Sequence, residues 1–181
     1  FFFKFFSELT SKLDADKDLF GKLTDVRDIL KLSAQNNKKV IIVGNGASAS
    51  IASHVSIDLT KNVGIRCINF NESNLLTCFG NDFGYENWVA EALNYYGDPG
   101  DTLIAVSSSG KSLNIINGCK RAGEMNFHKI ITLSGFKPDN PLRQLGDINL
   151  WADSCNYNIV ENIHQIWLLA VVELILSESN N

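Results

Sequence analysis

Four consecutive β-branched residues, Val40-Ile41-Ile42-Val43, run directly into Gly44-Asn45-Gly46-Ala47-Ser48. Such an apolar run reads as a strand buried on both faces, the property of a parallel sheet covered by helices. Small residues then turn the chain into a helical pattern from about Ala47 to Lys61. A strand that feeds a helix through a Gly/Ser turn presents unpaired backbone N–H groups at the positive end of a helix dipole. That arrangement suits a phosphate or another anion. The same design recurs at Thr102–Val106, which feeds Ser107-Ser108-Ser109-Gly110-Lys111-Ser112 and a helix to about Glu124.

The remaining pattern alternates in the same way. Strands are expected at 39–43, 65–70, 102–106, 129–133 and 147–151. A loop or short helix containing Asn71, Glu72 and Asn74 follows the second strand, then Asn81-Asp82-Phe83-Gly84 and a helix near 85–95. The last helix, about 158–177, is apolar almost all round, which marks a buried helix. Alternation of this kind implies an α/β fold with a parallel sheet covered on both faces and a ligand site at the strands' carboxyl ends. Two helices, 2–13 and 17–36, precede the first strand, so residues 1–37 form an N-terminal addition to a domain spanning 38–181.

A chain of 181 residues fits one domain with a real core, and 45% apolar with 20% charged residues is ordinary for a soluble protein. A net charge of −4 without a basic stretch argues against a nucleic-acid partner. Cys67, Cys78, Cys119 and Cys155 form no CxxC pair and read as reduced thiols of a cytoplasmic protein. The run Phe1-Phe2-Phe3-Lys4-Phe5-Phe6 is too short to span a membrane, and no small-residue cleavage site follows it. An amphipathic first helix that packs on a partner subunit is the expectation, making the protein a homo-oligomer.

Both loops brush against unrelated motifs. Gly44-x-Gly46-x-x-Ala49 satisfies the dinucleotide pattern, but only Glu72 offers an acidic residue near the end of the second strand. Ala105 through Ser112 approaches a Walker A loop with Ala105 in place of its first glycine, which a triphosphate-wrapping loop needs. The serine loop itself offers four hydroxyls, on Ser107, Ser108, Ser109 and Ser112, beside a helix N-terminus. Such a set can hold a phosphate monoester. The plainer alternative makes Ser112 an N-cap and the rest turn residues.

Taken together, Gly44 through Ser48, His54 through Thr60, Cys78 through Gly84, Ser107 through Ser112 and Asn162-Ile163-His164 resemble the sugar isomerase (SIS) domain family. Within it the chain is similar to the bacterial phosphoheptose isomerases. The resemblance implies a flavodoxin-like three-layer αβα sandwich with a five-stranded parallel sheet, and a homotetramer with active sites shared between subunits. It implies interconversion of sedoheptulose 7-phosphate and a heptose 7-phosphate for surface polysaccharide. Ser107, Ser108, Ser109 and Ser112 would then hold the sugar phosphate. Asn45, Gly46, Ala47 and Ser48 would contact the sugar backbone, and Asn81 and Asp82 its hydroxyls. His54 matches a zinc ligand, Asp58 falls at a Glu that is both ligand and base, and Glu161 falls at a Gln that binds zinc and substrate. Leu169 falls where the family has a His that is a further ligand and the second acid/base.

Moving a carbonyl between C1 and C2 needs a base to carry a proton between carbons and an acid or a metal to manage the enediolate oxygens. His54 and Asp58, four apart on one helix, share a face. With Glu161 they would offer one nitrogen and two carboxylates to Zn²⁺ or another divalent ion. The Asp58 carboxylate sits roughly 1.5 Å further back than a glutamate's would. Leu169 carries neither a proton nor a metal, and His164, three residues from Glu161, is the remaining histidine that could face the same region. Two functions follow: a ketose–aldose isomerase with Asp58 and Glu161 as catalytic groups, or a phosphosugar-binding regulator that kept the fold and lost the chemistry.

Overall fold

The computed structural model describes residues 1–13 and 17–179. Two helices open the chain, α1 (Phe2–Leu13) and α2 (Lys17–Gln35). The alternating part runs β1 (Val40–Val43), α3 (Ala47–Lys61), β2 (Cys67–Ile68), α4 (Ser73–Phe83), α5 (Trp88–Tyr96), β3 (Thr102–Ser107) and α6 (Leu113–Glu124). It ends with β4 (Lys129–Ser134), a 3-10 turn at Pro141–Gln144, β5 (Ile148–Trp151) and α7 (Tyr157–Ser179). All pairings are parallel, and the strands lie in the order β2-β1-β3-β4-β5.

Period-two alternation divides the strand side chains between two cores. Val40, Ile42, Ile104, Val106, Ile131 and Leu133 point to one face, against α2, α3 and α7. Ile41, Val43, Leu103 and Ala105 point to the other, against α5 and α6. The three-layer αβα architecture expected from the alternation is therefore realised. Val26 and Leu30 of α2 are buried in the same core as the sheet, so the N-terminal addition is packed onto it. Helix α7 is long and apolar enough by composition to cross a membrane, but half of that stretch is buried in the protein. Cys67 and Cys119 are buried and unpaired, and burial pushes both thiols up to about 12.

Two elements differ from the sequence reading. The second strand shrinks to Cys67–Ile68 because it is an edge strand that pairs only with Val40 and Ile41 of β1. Residues 73–83, expected as loop or short helix, form the full helix α4, started by the Glu72 carboxylate accepting from Leu75 N–H at 2.9 Å. Polar Asn, Thr and Asp side chains on its exposed face hid that helix from periodicity.

Glycine is required at two turns beside the sheet. A Cβ on Gly44 would stand 2.6 Å from the backbone of Ser48, where α3 closes on β1. Gly110 has φ +66°, and a Cβ there would stand 2.0 Å from Oδ1 of the buried Asn140. Asn140 donates to Ser134 Oγ at 3.0 Å and to Lys137 O at 2.9 Å, and accepts from Arg143 N–H at 3.1 Å. The serine loop is thus backed by a bonded amide that leaves no room for a side chain.

His164 is a core residue. It is fully buried, and its Nε2 lies 3.0 Å from the Ser134 carbonyl, which ties α7 to the end of β4. The expectation that it could face the catalytic region is corrected by this placement: its ring turns inward to the sheet. Burial lowers its pKa from 6.5 to about 4, against the opposing effect of the Ser134 hydrogen bond. The unfolded chain therefore binds this proton at a higher pH than the folded one. Stability is present above the unfolded value near 6.5 and is lost as pH falls towards 4. Between pH 7 and pH 5 the loss from this residue is about 2 kcal/mol. His164→Gln, which can keep a donor for Ser134, is expected to shrink that pH dependence, read as the difference in urea midpoints at the two pH values.

Candidate functional site

The strand order places the site. The chain leaves β1 to lay down β2 on one side, then returns to place β3 on the other, so the carboxyl ends of β1 and β3 are adjacent at the topological switch point. Val43 pairs with Ala105, and each strand then opens into its small-residue loop. Both loops end at helix N-termini. Gly46 precedes α3 and has no side chain to cap it, and Ser112 occupies the N-cap of α6 without a side-chain cap bond. Ser112 thus takes the N-cap position, but its side chain does not cap the helix. Its hydroxyl instead accepts from Ser107 Oγ at 3.1 Å.

A cavity of about 140 Å³ opens between these loops and the start of α7. Ser107, Ser108, Ser109 and Ser112 line it together with Asn45 and Ser48, so six of the expected contact residues converge. Tyr157 and Glu161 of α7 close the far wall. Gly46 and Ala47 lie on the adjacent turn and are exposed. Asn81 and Asp82 are not part of the cavity wall. They stand exposed on the last turn of α4, with Asn81 Nδ2 donating to Asp82 Oδ1 at 2.9 Å. A larger hollow of about 330 Å³ lies off β5, beneath α1 and α2. Its Lys12 and Lys22 pair with Asp153 at 3.0 Å and Asp18 at 2.6 Å, and its Arg143 lies over the Trp151 ring and donates to Pro138 O at 2.8 Å.

Four contributors were not expected from the sequence. Asn114, buried on α6, exchanges two 2.9 Å hydrogen bonds with Asn45, one in each direction, and so locks the two loops together. Tyr85 OH donates to Asn45 Oδ1 at 3.2 Å. Tyr157 packs its ring on Phe136 with centroids 4.8 Å apart. Gln165 reaches across to α3, its Nε2 standing 3.2 Å from His54 Nδ1. Tyr157, Glu161, Gln165 and Leu169 stand four apart, so α7 carries them on one face. That spacing was legible, whereas the partner of each residue depends on how α7 crosses α3.

His54 and Asp58 form a pair on α3. His54 Nε2 stands 3.3 Å from Asp58 Oδ2 one helical turn on, and Asp58 Oδ1 accepts from Asn62 Nδ2 at 3.1 Å. Asp58 as acceptor fits a proton on His54 Nε2, with the Nδ1 lone pair accepting from Gln165. The expected three-ligand metal set is not assembled. Glu161 turns to Ser108, whose Oγ lies 3.4 Å from Glu161 Oε1, and Leu169 brings no donor atom. Among the described residues no three His, Cys, Asp or Glu side chains come together as a metal-binding group. The donors of this chain therefore do not fit a zinc site by themselves.

Comparison with known proteins agrees with this geometry. A family model described as "SIS domain" matches residues 2–135. A phosphoheptose isomerase of Buchnera aphidicola subsp. Acyrthosiphon pisum (strain Tuc7) is 31% identical over 175 residues, which cover 94% of this chain and 89% of that protein. Among solved structures, the phosphoheptose isomerase GmhA from Neisseria gonorrhoeae superposes with a TM-score of 0.87 at 25% identity, over 96% of this chain and 95% of that one. A phosphoheptose isomerase from Francisella tularensis shares the fold with a TM-score of 0.86 at 24% identity, over 95% and 94% of the two chains. The match runs from α1 through β4 and takes in both loops of the site, and on it the chain belongs to the SIS (sugar isomerase) domain family.

Proposed function

We infer that the protein is a phosphoheptose isomerase, interconverting sedoheptulose 7-phosphate and D-glycero-D-manno-heptose 7-phosphate. The observation that carries this is the convergence of four serine hydroxyls and an uncapped helix N-terminus within one cavity, on a chain so similar to such isomerases along its whole length. In this reading the phosphate is held by Ser107, Ser108, Ser109 and Ser112 with the first turn of α6. The sugar lies against Asn45, Gly46, Ala47 and Ser48, with Asn81 and Asp82 meeting its hydroxyls from α4. Glu161 touches the substrate beside the phosphate loop.

Asp58 takes the proton from C1 of the ketose and returns it to C2, passing through an enediol. Asn62 and His54 hold its two oxygens and so aim it. Gln165 holds the His54 ring from the opposite side. His54 and Asp58 would be this chain's contribution to a divalent ion, and Glu161, turned to Ser108, does not complete the set. A second reading, phosphosugar binding without turnover, draws on Leu169, which leaves the facing helix without an acid/base at that turn.

Deuterium incorporation at C1 or C2 of sedoheptulose 7-phosphate in heavy water separates the two readings. Exchange by the wild-type protein, with or without added Zn²⁺, and its loss in Asp58→Asn, are expected. Binding without exchange under both conditions would establish the second reading. The phosphate assignment has its own test in Ser107→Ala combined with Ser109→Ala. Loss of two charge-assisted hydrogen bonds is expected to weaken phosphosugar binding by about 10- to 100-fold in calorimetry.

We further propose a cytoplasmic homotetramer that supplies heptose for surface polysaccharide. All four cysteines are unpaired, as a reducing compartment keeps them. Helix α1 has no buried residue, and Phe1, Phe2, Phe3 and Phe6 are each more than half exposed, a surface that a second copy would cover. Phe2→Glu with Phe3→Glu is expected to lower the mass measured by light scattering from tetramer to a smaller species.

A further inference from the structure

The cavity that takes the phosphate carries one charged side chain on its described walls, and that charge is negative. Glu161 stands among hydroxyl, amide and apolar groups. Two of the loop's own hydroxyl donors are occupied, one of them by this carboxylate. Ser108 Oγ donates to Glu161 Oε1 at 3.4 Å, and Ser107 Oγ donates to Ser112 at 3.1 Å. Ser109 Oγ accepts from the Lys111 N–H at 3.3 Å, so its own hydrogen points elsewhere. Of the four hydroxyl hydrogens, those of Ser109 and Ser112 are left to face an anion.

A bare phosphate entering here gains those two hydroxyls and the N-terminus of α6, but it meets the Glu161 carboxylate with the same sign and finds Ser108 turned away. Like charges brought together in a partly buried site oppose binding strongly. A polyol phosphate enters on different terms. A hydroxyl on the carbon beside the ester donates to Glu161, and the carboxylate that repels phosphate becomes an acceptor for the sugar. Tyr157, one turn earlier on the same face, packs on Phe136 at an interplanar angle of 59° and lines the same cavity.

We propose that Glu161 is a selectivity residue, which excludes inorganic phosphate and other bare oxyanions and admits phosphate monoesters that carry a neighbouring hydroxyl. The inference rests on the assignment of the serine loop to the substrate phosphate. It is tested by calorimetry on the intact chain in chelator-treated buffer, with inorganic phosphate and with sedoheptulose 7-phosphate as separate titrants. Glu161→Gln is expected to bind inorganic phosphate about tenfold more tightly than wild type, so that the ratio of phosphosugar to phosphate affinity falls. Glu161→Ala, which removes charge and amide alike, is expected to strengthen phosphate binding in the same direction. Unchanged or weaker phosphate binding in both variants, with phosphosugar binding intact in wild type, overturns the role of Glu161 alone. Failure of the wild-type protein to bind sedoheptulose 7-phosphate, or undiminished binding in the double serine variant, overturns the phosphate loop and this inference with it.

Discussion

Val43 of β1 stands beside Ala105 of β3 in a parallel ladder, and the site depends on that register. One residue beyond this pair on the first strand the chain reaches Gly44, and two beyond it on the second it reaches Ser107. Parallel pairing at the switch point therefore delivers both small-residue loops to one place. An antiparallel pairing would send one loop to the opposite end of the sheet, and a one-residue slip would turn the strand's side chains to the wrong face. The two-way amide exchange between Asn45 and Asn114 then fixes the loops to each other at 2.9 Å. Gly44 and Gly110 let each loop pass close to the backbone and side chain behind it. Cavity and helix termini are consequences of backbone geometry, and the side chains refine what the cavity accepts.

That division explains what could be read from the chain beforehand. The five strands and the order of loops were legible because four- to six-residue apolar runs bounded by Gly and Ser have few other interpretations. The serine loop was legible because three consecutive serines are more than a helix cap needs. Helix α4 was not, because its exposed face carries Asn, Thr and Asp, and its start is made by a Glu72 side chain rather than by a Ser or Thr. The extent of β2 was not, because an edge strand ends where its single neighbour ceases to pair.

At the site the limit lay in the partners. His54 and Asp58 share a helix, so their meeting at 3.3 Å follows from spacing alone. Glu161 and His164 lie on α7, and their partners depend on how that helix crosses the sheet and α3. A spacing of three residues is compatible with one shared surface. On α7, however, Glu161 falls at the edge of the phosphate cavity and His164 in the core against Ser134. Gln165 is the instructive case: it belongs to none of the stretches that carried the resemblance, and its meaning comes from His54 Nδ1 standing 3.2 Å away.

The face of α7 ties the site together and also divides it. Tyr157 and Glu161 line the serine-loop cavity, while Gln165, one turn on, meets His54. Each step of four residues advances about 6 Å along the helix axis. In the proposed reading, a substrate anchored by its phosphate at the serine loop lies along α7 with its far end directed to the His54–Asp58 pair. The same helix buries Ile159, Val160, Ile163, Trp167 and Leu168 on its other side, so its position is set by the hydrophobic core rather than by the ligand. A rigid helix with one face in the core and one along the substrate keeps the spacing between phosphate and reacting carbons constant. That constancy is what a proton transfer between two adjacent carbons requires of the protein, because a displacement near 1 Å costs about a hundredfold in rate.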